Sequence, residues 1–396
     1  MKKIILLTLL LCGLNTIAQI PSTPGFHLIN MLHDSVSREF LVIVPNSYNA
    51  ATNSPLMFCF HGGTQDIPSF VFGQVDTING GREELWEKAD SHAMVLVFPQ
   101  ALVNSLSGST LWNDKDLFPQ VASPYDDLGF VLHMIDTLSQ DLSIDSTRIY
   151  ASGFSNGADF TNLIGSQLSC KFAAAAAVAG RTANQVSQID TTMIFYPLPT
   201  TPVSMMIVRG KRDNDVTYNG GLNNGGINTT SVFDDMYFWL AGNACDSTLF
   251  TSTNMGDTVQ VRKFYQCAYG SEVKVVSLKF MDHRWPDAND DFYWNANKEV
   301  INFCLQHSRN NCSTVQGISA SEVQRNIIIY PNPTNGQVQI NSNGENISSI
   351  KIYNLAGELL KEYFSSDFSI ANLPSGVYFI KTVTDQSIYL NKVIKH

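Results

Sequence analysis

After residue 18 no stretch of this chain is long and apolar enough to cross a bilayer, which excludes a helical membrane span from the mature protein. Positive charge is also in short supply. Lysine and arginine number 25 against 35 aspartates and glutamates, a net charge of −10, and that balance argues against nucleic acid or an anionic membrane surface as a partner. Histidine is scarce, with eight in 396 residues, so a histidine of functional use can be sought by elimination. What the N-terminus does have is a secretory signal: Met1-Lys2-Lys3, the apolar run Ile4 to Leu11 and a Thr16-Ile17-Ala18 cleavage pattern, placing a signal peptide over 1–18. Cys12 invites a lipoprotein reading, but Leu11 stands where a small residue is expected. Export permits disulfides, and six cysteines remain after the signal. Cys59 falls in an expected buried strand and Cys170 at a helix end, both suited to free thiols, while Cys304 and Cys312 straddle the end of the last helix and are placed to pin it.

The pentapeptide Gly153-Phe154-Ser155-Asn156-Gly157 follows a β-like run, Arg148 to Ala151, and precedes a segment with helical character, Ala158 to Leu168. That is the setting of a nucleophile elbow: glycines tolerate the sharp turn, the serine is pushed out above the sheet, and the helix aims its N–H groups at negative charge developing there. A general base is needed next. Only His283, His307 and His396 follow Ser155. His307 ends an expected amphipathic helix, Trp294 to Leu305, and His396 closes a separate domain, which leaves His283, after the strand-like alternation Val273 to Phe280. An acid should come from a loop between the two. The apolar run Pro202 to Val208 is followed by Asp213 and Asp215, and the residues alone do not choose between them.

Upstream, Leu56 to Phe60 reads as a buried strand ending in His61-Gly62-Gly63-Thr64. An N–H from this glycine turn, at Gly63, together with that of Asn156 would form an oxyanion hole, with His61 bracing the turn. Asp126 and Asp127 open a helix whose apolar residues Leu128, Val131, Leu132, Ile135 and Leu138 recur at helical spacing, so one of them is expected as an N-cap. Trp112, Trp285 and Tyr218 are candidates for contact with substrate, though tryptophan fills cores as readily. Asn219 to Gly226 has no core-forming face and reads as a loop beside the acid.

These blocks, in this order, resemble the polyhydroxybutyrate depolymerase and feruloyl esterase family of α/β-hydrolases. The likeness also takes in Val95 to Gln100, Leu111-Trp112-Asn113, Asp126 to Phe130, Phe172-Ala173-Ala174, Val216 to Gly221 and His283-Arg284-Trp285-Pro286. The resemblance implies an α/β-hydrolase fold, a mostly parallel sheet with helices on both faces, over 19–312. It implies Ser155, Asp213 and His283 as a triad acting on carboxylic esters, a disulfide between Cys245 and Cys267, and no metal or organic cofactor. The implied substrates are feruloyl or acetyl esters of plant polysaccharide, or polyhydroxyalkanoate; a serine peptidase and an inactive binding protein on the same fold are the alternatives. Two departures bear on the rim. Arg209-Gly210-Lys211-Arg212 stands where the family has His-Gly-Thr, and Asp282 sits beside His283, where it would favour a charged imidazole and shift the pH profile.

After a polar linker, 313–325, short alternating strands broken by Pro, Asn and Gly turns fill 326–396 and read as a small β-sandwich. Tyr330-Pro331-Asn332-Pro333, Ile352 to Gly357, Leu373 to Phe379 and Lys392 to Lys395 resemble the C-terminal sorting domain of type IX secretion cargo. That resemblance implies the type IX machinery as a partner and a secreted or cell-surface destination.

Overall fold

The computed structural model describes residues 19–73, 81–104, 108–114, 125–185, 193–287, 294–309, 327–330, 334–342, 344–354, 359–384 and 388–395. The expected signal peptide, the 313–325 linker, Cys312 and His396 lie outside these residues.

Ten strands build the main sheet: β1 (Gly25–His33), β2 (Val36–Val44), β3 (Ser54–Phe60), β4 (Val95–Pro99), β5 (Ile144–Phe154), β6 (Ala174–Val178), β7 (Ser204–Gly210), β8 (Phe250–Met255), β9 (Val259–Phe264) and β10 (Val273–Leu278). Their spatial order is β1-β2-β4-β3-β5-β6-β7-β10-β9-β8. The six central strands, from β4 across to β10, are parallel, and antiparallel hairpins close both edges. The sequence dictates this division. Strands β3, β4, β6 and β7 are buried along their whole length, as strands covered on both faces must be, and they read as apolar runs, Leu56–Phe60 in β3 and Met205–Val208 in β7 among them, with Arg209 following the apolar part of β7. Edge strand β1 instead alternates, with Phe26, Leu28 and Leu32 outward and Ile29 and Met31 inward.

The two-residue period separates two cores. Leu56, Phe58 and Phe60 face a cluster filled by helices α3 (Asp127–Asp141), α4 (Asn156–Gln167) and α5 (Val232–Gly242). Met57 and Cys59 face the opposite cluster, filled by α1 (Ile67–Phe72), α2 (Glu83–Asp90) and α6 (Ala296–Cys304). This is the α/β-hydrolase arrangement expected from the sequence. Asp126 is the cap of α3, accepting from the Gly129 N–H at 2.9 Å. Asp127 is instead buried against Arg38 at 2.5 Å and accepts the Asn113 N–H at 2.7 Å. Burial raises its pKa while the Arg38 guanidinium opposes the rise.

Three sequence expectations change here. Asn219 to Gly226 is not a free loop, because Asn219–Leu222 pairs with Asn228–Ser231 as a hairpin. Cys170 is not a free thiol but is disulfide-bonded. Cys304 does not pin the last helix; it is free and buried, as is Cys59. Although it is the last residue of α6, its side chain belongs to the buried apolar cluster under that helix. Cys245 and Cys267 are bonded to each other.

The C-terminal strands form a three-stranded sheet (Ile328–Tyr330, Gln337–Asn341, Asp367–Ser369) and a four-stranded sheet (Leu359–Tyr363, Ile347–Tyr353, Gly376–Thr384, Ile388–Lys395) around one apolar core. This small domain meets α5, where the rings of Tyr237 and Phe379 lie 4.6 Å apart.

Candidate active site

Chain order reverses beside β3, whose neighbours are β4 on one side and β5 on the other. In an open parallel sheet the crevice at such a reversal, at the strands' C-terminal ends, is where ligands bind. The ends of β3 and β5 carry the glycine turn and Ser155.

The elbow is made by close approach. A Cβ on Gly153 would lie 2.2 Å from the Gly157 carbonyl oxygen, and one on Gly157 would lie 2.3 and 2.4 Å from the carbonyl oxygens of Phe60 and His61. Only glycine lets the elbow seat against the β3 turn. Ser155 itself is held at φ 53°, ψ −124°, a conformation that costs an L-residue energy and persists because its surroundings over-determine it. Its own N–H bonds to the Val178 carbonyl at 3.0 Å.

His283 Nε2 lies 2.8 Å from Ser155 Oγ, and His283 Nδ1 lies 2.9 Å from Asp213 Oδ2. An ionised carboxylate only accepts, so Nδ1 carries the proton and Nε2 is left to accept from the serine hydroxyl. The second Asp213 oxygen accepts the N–H groups of Asp215 at 2.9 Å and Val216 at 2.8 Å, and the residue is buried. Asp215, the other candidate, is exposed. Its carboxylate comes within 4.8 Å of this pair, but both His283 nitrogens and both Asp213 oxygens are already committed, which leaves no coherent metal-ligand set.

Backbone contacts register the loops that carry Asp213 and His283. The N–H groups of Lys211 and Arg212 donate to Leu278 and Met281 at 2.9 and 3.0 Å, and a Cβ on Gly210 would sit 2.3 Å from the Met281 carbonyl oxygen. Behind them Arg209, expected at the rim, is fully buried. Its guanidinium bonds Asp235 at 2.5 Å and the carbonyls of Gly180, Thr217 and Thr230 at 2.6 to 2.8 Å. Burial raises the Asp235 pKa to about 6 against the opposing pull of Arg209. Arg209 thus ties the segment after Asp213 to α5. Residue type alone gives no sign of this, since an arginine in a loop motif reads as surface.

The turn after β3 is braced by His61. Nε2 accepts the Ala101 N–H at 3.0 Å, so Nδ1 is the protonated nitrogen and donates to the Gly62 carbonyl at 2.7 Å. Burial holds this imidazole neutral, with its pKa lowered to about 4. Gln65 fixes the Gly62 N–H at 2.8 Å. The Gly63 and Asn156 N–H groups take part in no hydrogen bond among the described residues, and a Cβ on Gly63 would lie 3.7 Å from that of Asn156. Two backbone donors without partners among the described residues therefore belong to neighbouring turns beside Ser155.

Two of the aromatic candidates, Trp112 and Trp285, are buried rather than presented to a substrate, while Tyr218 is half-buried. Trp112 is 1% exposed, stacked 5.2 Å from Phe160, and its indole N–H donates to the His61 carbonyl at 2.9 Å. Its backbone N–H meets the Asn156 side chain at 2.8 Å, so it is a pillar under both halves of the donor pair. Trp285 is also 1% exposed and bonds Asn297 at 2.9 Å, with the Arg82 guanidinium 4.6 Å over its ring. The Tyr218 hydroxyl is taken up by Ser277 at 2.8 Å. Arg284 engages both oxygens of Asp282 and, as the largest cause, holds its pKa down, so the hydrogen-bonding partner of this carboxylate is Arg284 rather than His283.

Known proteins similar to this chain include esterases, and a family model matches its C-terminal residues. Residues 328–396 match the family described as the secretion system C-terminal sorting domain, and the chain is exported by the type IX route. Over 190 residues, 47% of this chain and 31% of the relative, it is 27% identical to feruloyl esterase B of Piromyces equi. Over 182 residues, 46% of this chain and 22% of the relative, it is 29% identical to the bifunctional acetylxylan esterase/xylanase XynS20E of Neocallimastix patriciarum. The chain thus spans less than a third of the length of either. The acetyl xylan esterase from Aspergillus awamori superposes with a TM-score of 0.47 at 14% identity, covering 67% of this chain and 96% of that one.

Proposed function

We propose that this chain is an exported serine esterase that hydrolyses carboxylic esters through an acyl-enzyme. The observation that carries the reading is the continuous line from Ser155 Oγ through His283 to buried Asp213. In the mechanism, His283 Nε2 takes the hydroxyl proton as Ser155 attacks the ester carbonyl, and Asp213 holds the imidazole in the needed tautomer and stabilises the imidazolium. The N–H groups of Gly63 and Asn156 hold the oxyanion, which α4 also favours from its N-terminal end. The imidazolium then protonates the departing alcohol. Water, activated by the same imidazole, releases the acid and restores the serine.

The relatives' names favour feruloyl or acetyl esters on plant polysaccharide over polyhydroxyalkanoate as substrate. In this reading the signal peptide spans 1–18, the esterase domain 19–312, and the sorting domain 326–396. The test is Ser155→Ala, assayed on p-nitrophenyl acetate, methyl ferulate, a hydroxybutyrate oligomer and a peptide amide. Ester hydrolysis should fall by roughly 10⁴-fold or more in a folded protein. Retained ester hydrolysis would remove the mechanism, and cleavage of the amide alone by the native enzyme would make it a peptidase.

A further inference from the structure

A cavity of about 200 Å³ opens where the acid and base loops leave β7 and β10. Lys211 and Lys279 line it with Asn254, Gln260, Thr258 and Asp257. It lies on the same rim as the proposed triad, since Lys211 is two residues before Asp213 and Lys279 four before His283. The turn between β8 and β9 walls it, fixed by the Lys279 N–H donating to the Thr258 carbonyl at 2.8 Å.

Neither lysine forms an ion pair among the described residues. Each ammonium rests instead near an aromatic ring, Lys211 Nζ at 5.5 Å from the Tyr218 centroid and Lys279 Nζ at 5.2 Å from that of Phe280. An aromatic face holds a cation without neutralising it, so the charge stays available to a ligand. Arg212 adds a third cation nearby, 4.6 Å over Phe280. On a chain of net charge −10 such a cluster runs against the overall balance, and two of its three members, Lys211 and Arg212, fall on the segment where Arg209-Gly210-Lys211-Arg212 departs from the resembled family.

We propose that this cavity is a subsite for the carboxylate of an acidic sugar residue carried on the same polysaccharide as the scissile ester. Two ammonium groups against the Asp257 carboxylate leave the lining with a single positive charge, which matches a singly charged carboxylate better than a dianionic phosphate. Asn254, Gln260 and Thr258 supply hydrogen-bonding groups for sugar hydroxyls. The volume admits one small polar residue and no more. The inference rests on the esterase reading, and it names the class of polymer which that site serves.

The first experiment compares kcat/KM on acetylated oligosaccharides with and without a uronic acid next to the acetylated sugar. The native enzyme should prefer the acidic substrate by roughly three- to tenfold at low salt, a preference that shrinks as added salt screens it. The double variant Lys211→Gln, Lys279→Gln should bring the ratio close to one; taking a ratio removes any common effect on the chemistry. Equal rates for the native enzyme, or an unchanged ratio in the variant, would overturn the subsite. The second experiment needs no turnover. In Ser155→Ala protein, millimolar galacturonate should raise the unfolding temperature where galactose does not, and the effect should vanish when both lysines are replaced. Binding of free galacturonate without any preference among esters would refute placement beside the scissile bond. Absence of all ester hydrolysis with specific galacturonate binding would refute the esterase reading and leave the anion site standing.

Discussion

Replacing Asp213 by asparagine perturbs the hydrogen-bond line where the outcome can be worked out from local donors. One carboxylate oxygen accepts two backbone N–H groups, at 2.9 and 2.8 Å, and the other accepts the His283 Nδ1 proton at 2.9 Å. Asparagine has one accepting end and one donating end. With its oxygen on the backbone donors, its NH₂ faces Nδ1, and the imidazole must carry its proton on Nε2, where it presents a donor to Ser155 rather than a base. Turning the amide over restores the useful tautomer but sets NH₂ against the two backbone N–H groups. Stranding two donors costs about 2–4 kcal/mol, so the competent arrangement is disfavoured by roughly 30- to 10³-fold. Loss of the negative charge beside the imidazolium adds to this, and kcat should fall roughly 10²- to 10⁴-fold. Asp215→Asn keeps its backbone N–H on Asp213 and changes only an exposed side chain, so it should cost little. Steady-state hydrolysis of p-nitrophenyl acetate, with circular dichroism to check folding, decides the matter. A folded Asp213→Asn enzyme retaining more than about a tenth of kcat would refute the reasoning, as would an equal loss in Asp215→Asn.

The brace at His61 makes stability depend on pH. Its pKa is lowered from 6.5 to about 4 on folding, so the unfolded chain binds the extra proton first, and the contribution is present above pH 6.5 and lost as pH falls toward 4. At pH 5 the loss is about 2 kcal/mol, and a thermal melt of His61→Gln should show a correspondingly weaker dependence between pH 6.5 and 5; parallel curves would dismiss the brace. Replacing Cys245 and Cys267 by serine opens a bond spanning 22 residues and should cost about 3 kcal/mol in denaturant unfolding, while a free thiol at either position in natively exported protein would refute the pairing. Deleting Asn326 to His396 should leave hydrolysis of soluble esters nearly unchanged and stop delivery to the surface or medium of a host with type IX secretion. Normal export of the truncated protein would falsify the sorting role.

The parts legible in the sequence are those where a local rule admits few residues. Gly153 and Gly157 are required by sub-van-der-Waals approach to backbone, so the elbow can be read from five letters. The two-face burial of β3 and β4 is likewise written as an apolar run. The residues that mislead are those whose role depends on what packs against them from far along the chain. Trp112 and Trp285 lie next to functional segments and so suggest a substrate platform. Each instead turns inward to a partner no local pattern announces, Trp112 to Phe160 and the His61 carbonyl, Trp285 to Asn297 and Arg82. Asp282 reads by its neighbour in sequence as a partner of His283, when Arg284 is the group that meets it. Arg209 shows the same effect in reverse, because an arginine in a loop motif reads as surface until Asp235 and three carbonyls are found around it.

The geometry around the elbow divides the physical work between two layers. In the proposed reaction the residues that meet the reacting atoms sit at loop ends, where Ser155 is held in a strained conformation that costs stability and the Gly63 and Asn156 N–H groups lack partners among the described residues. They persist because the layer beneath is over-satisfied. Trp112, His61 and Gln65 fill the space under the donor turn with hydrogen bonds that each run to a backbone group of that turn. Arg209 and Asp235 do the same for the segment after the acid. A substitution in the supporting layer should therefore lower stability and turnover together, while Ser155→Ala, which removes only the exposed hydroxyl, should lower turnover alone. That contrast distinguishes a site held open by its scaffold from one in which the reactive residues hold themselves.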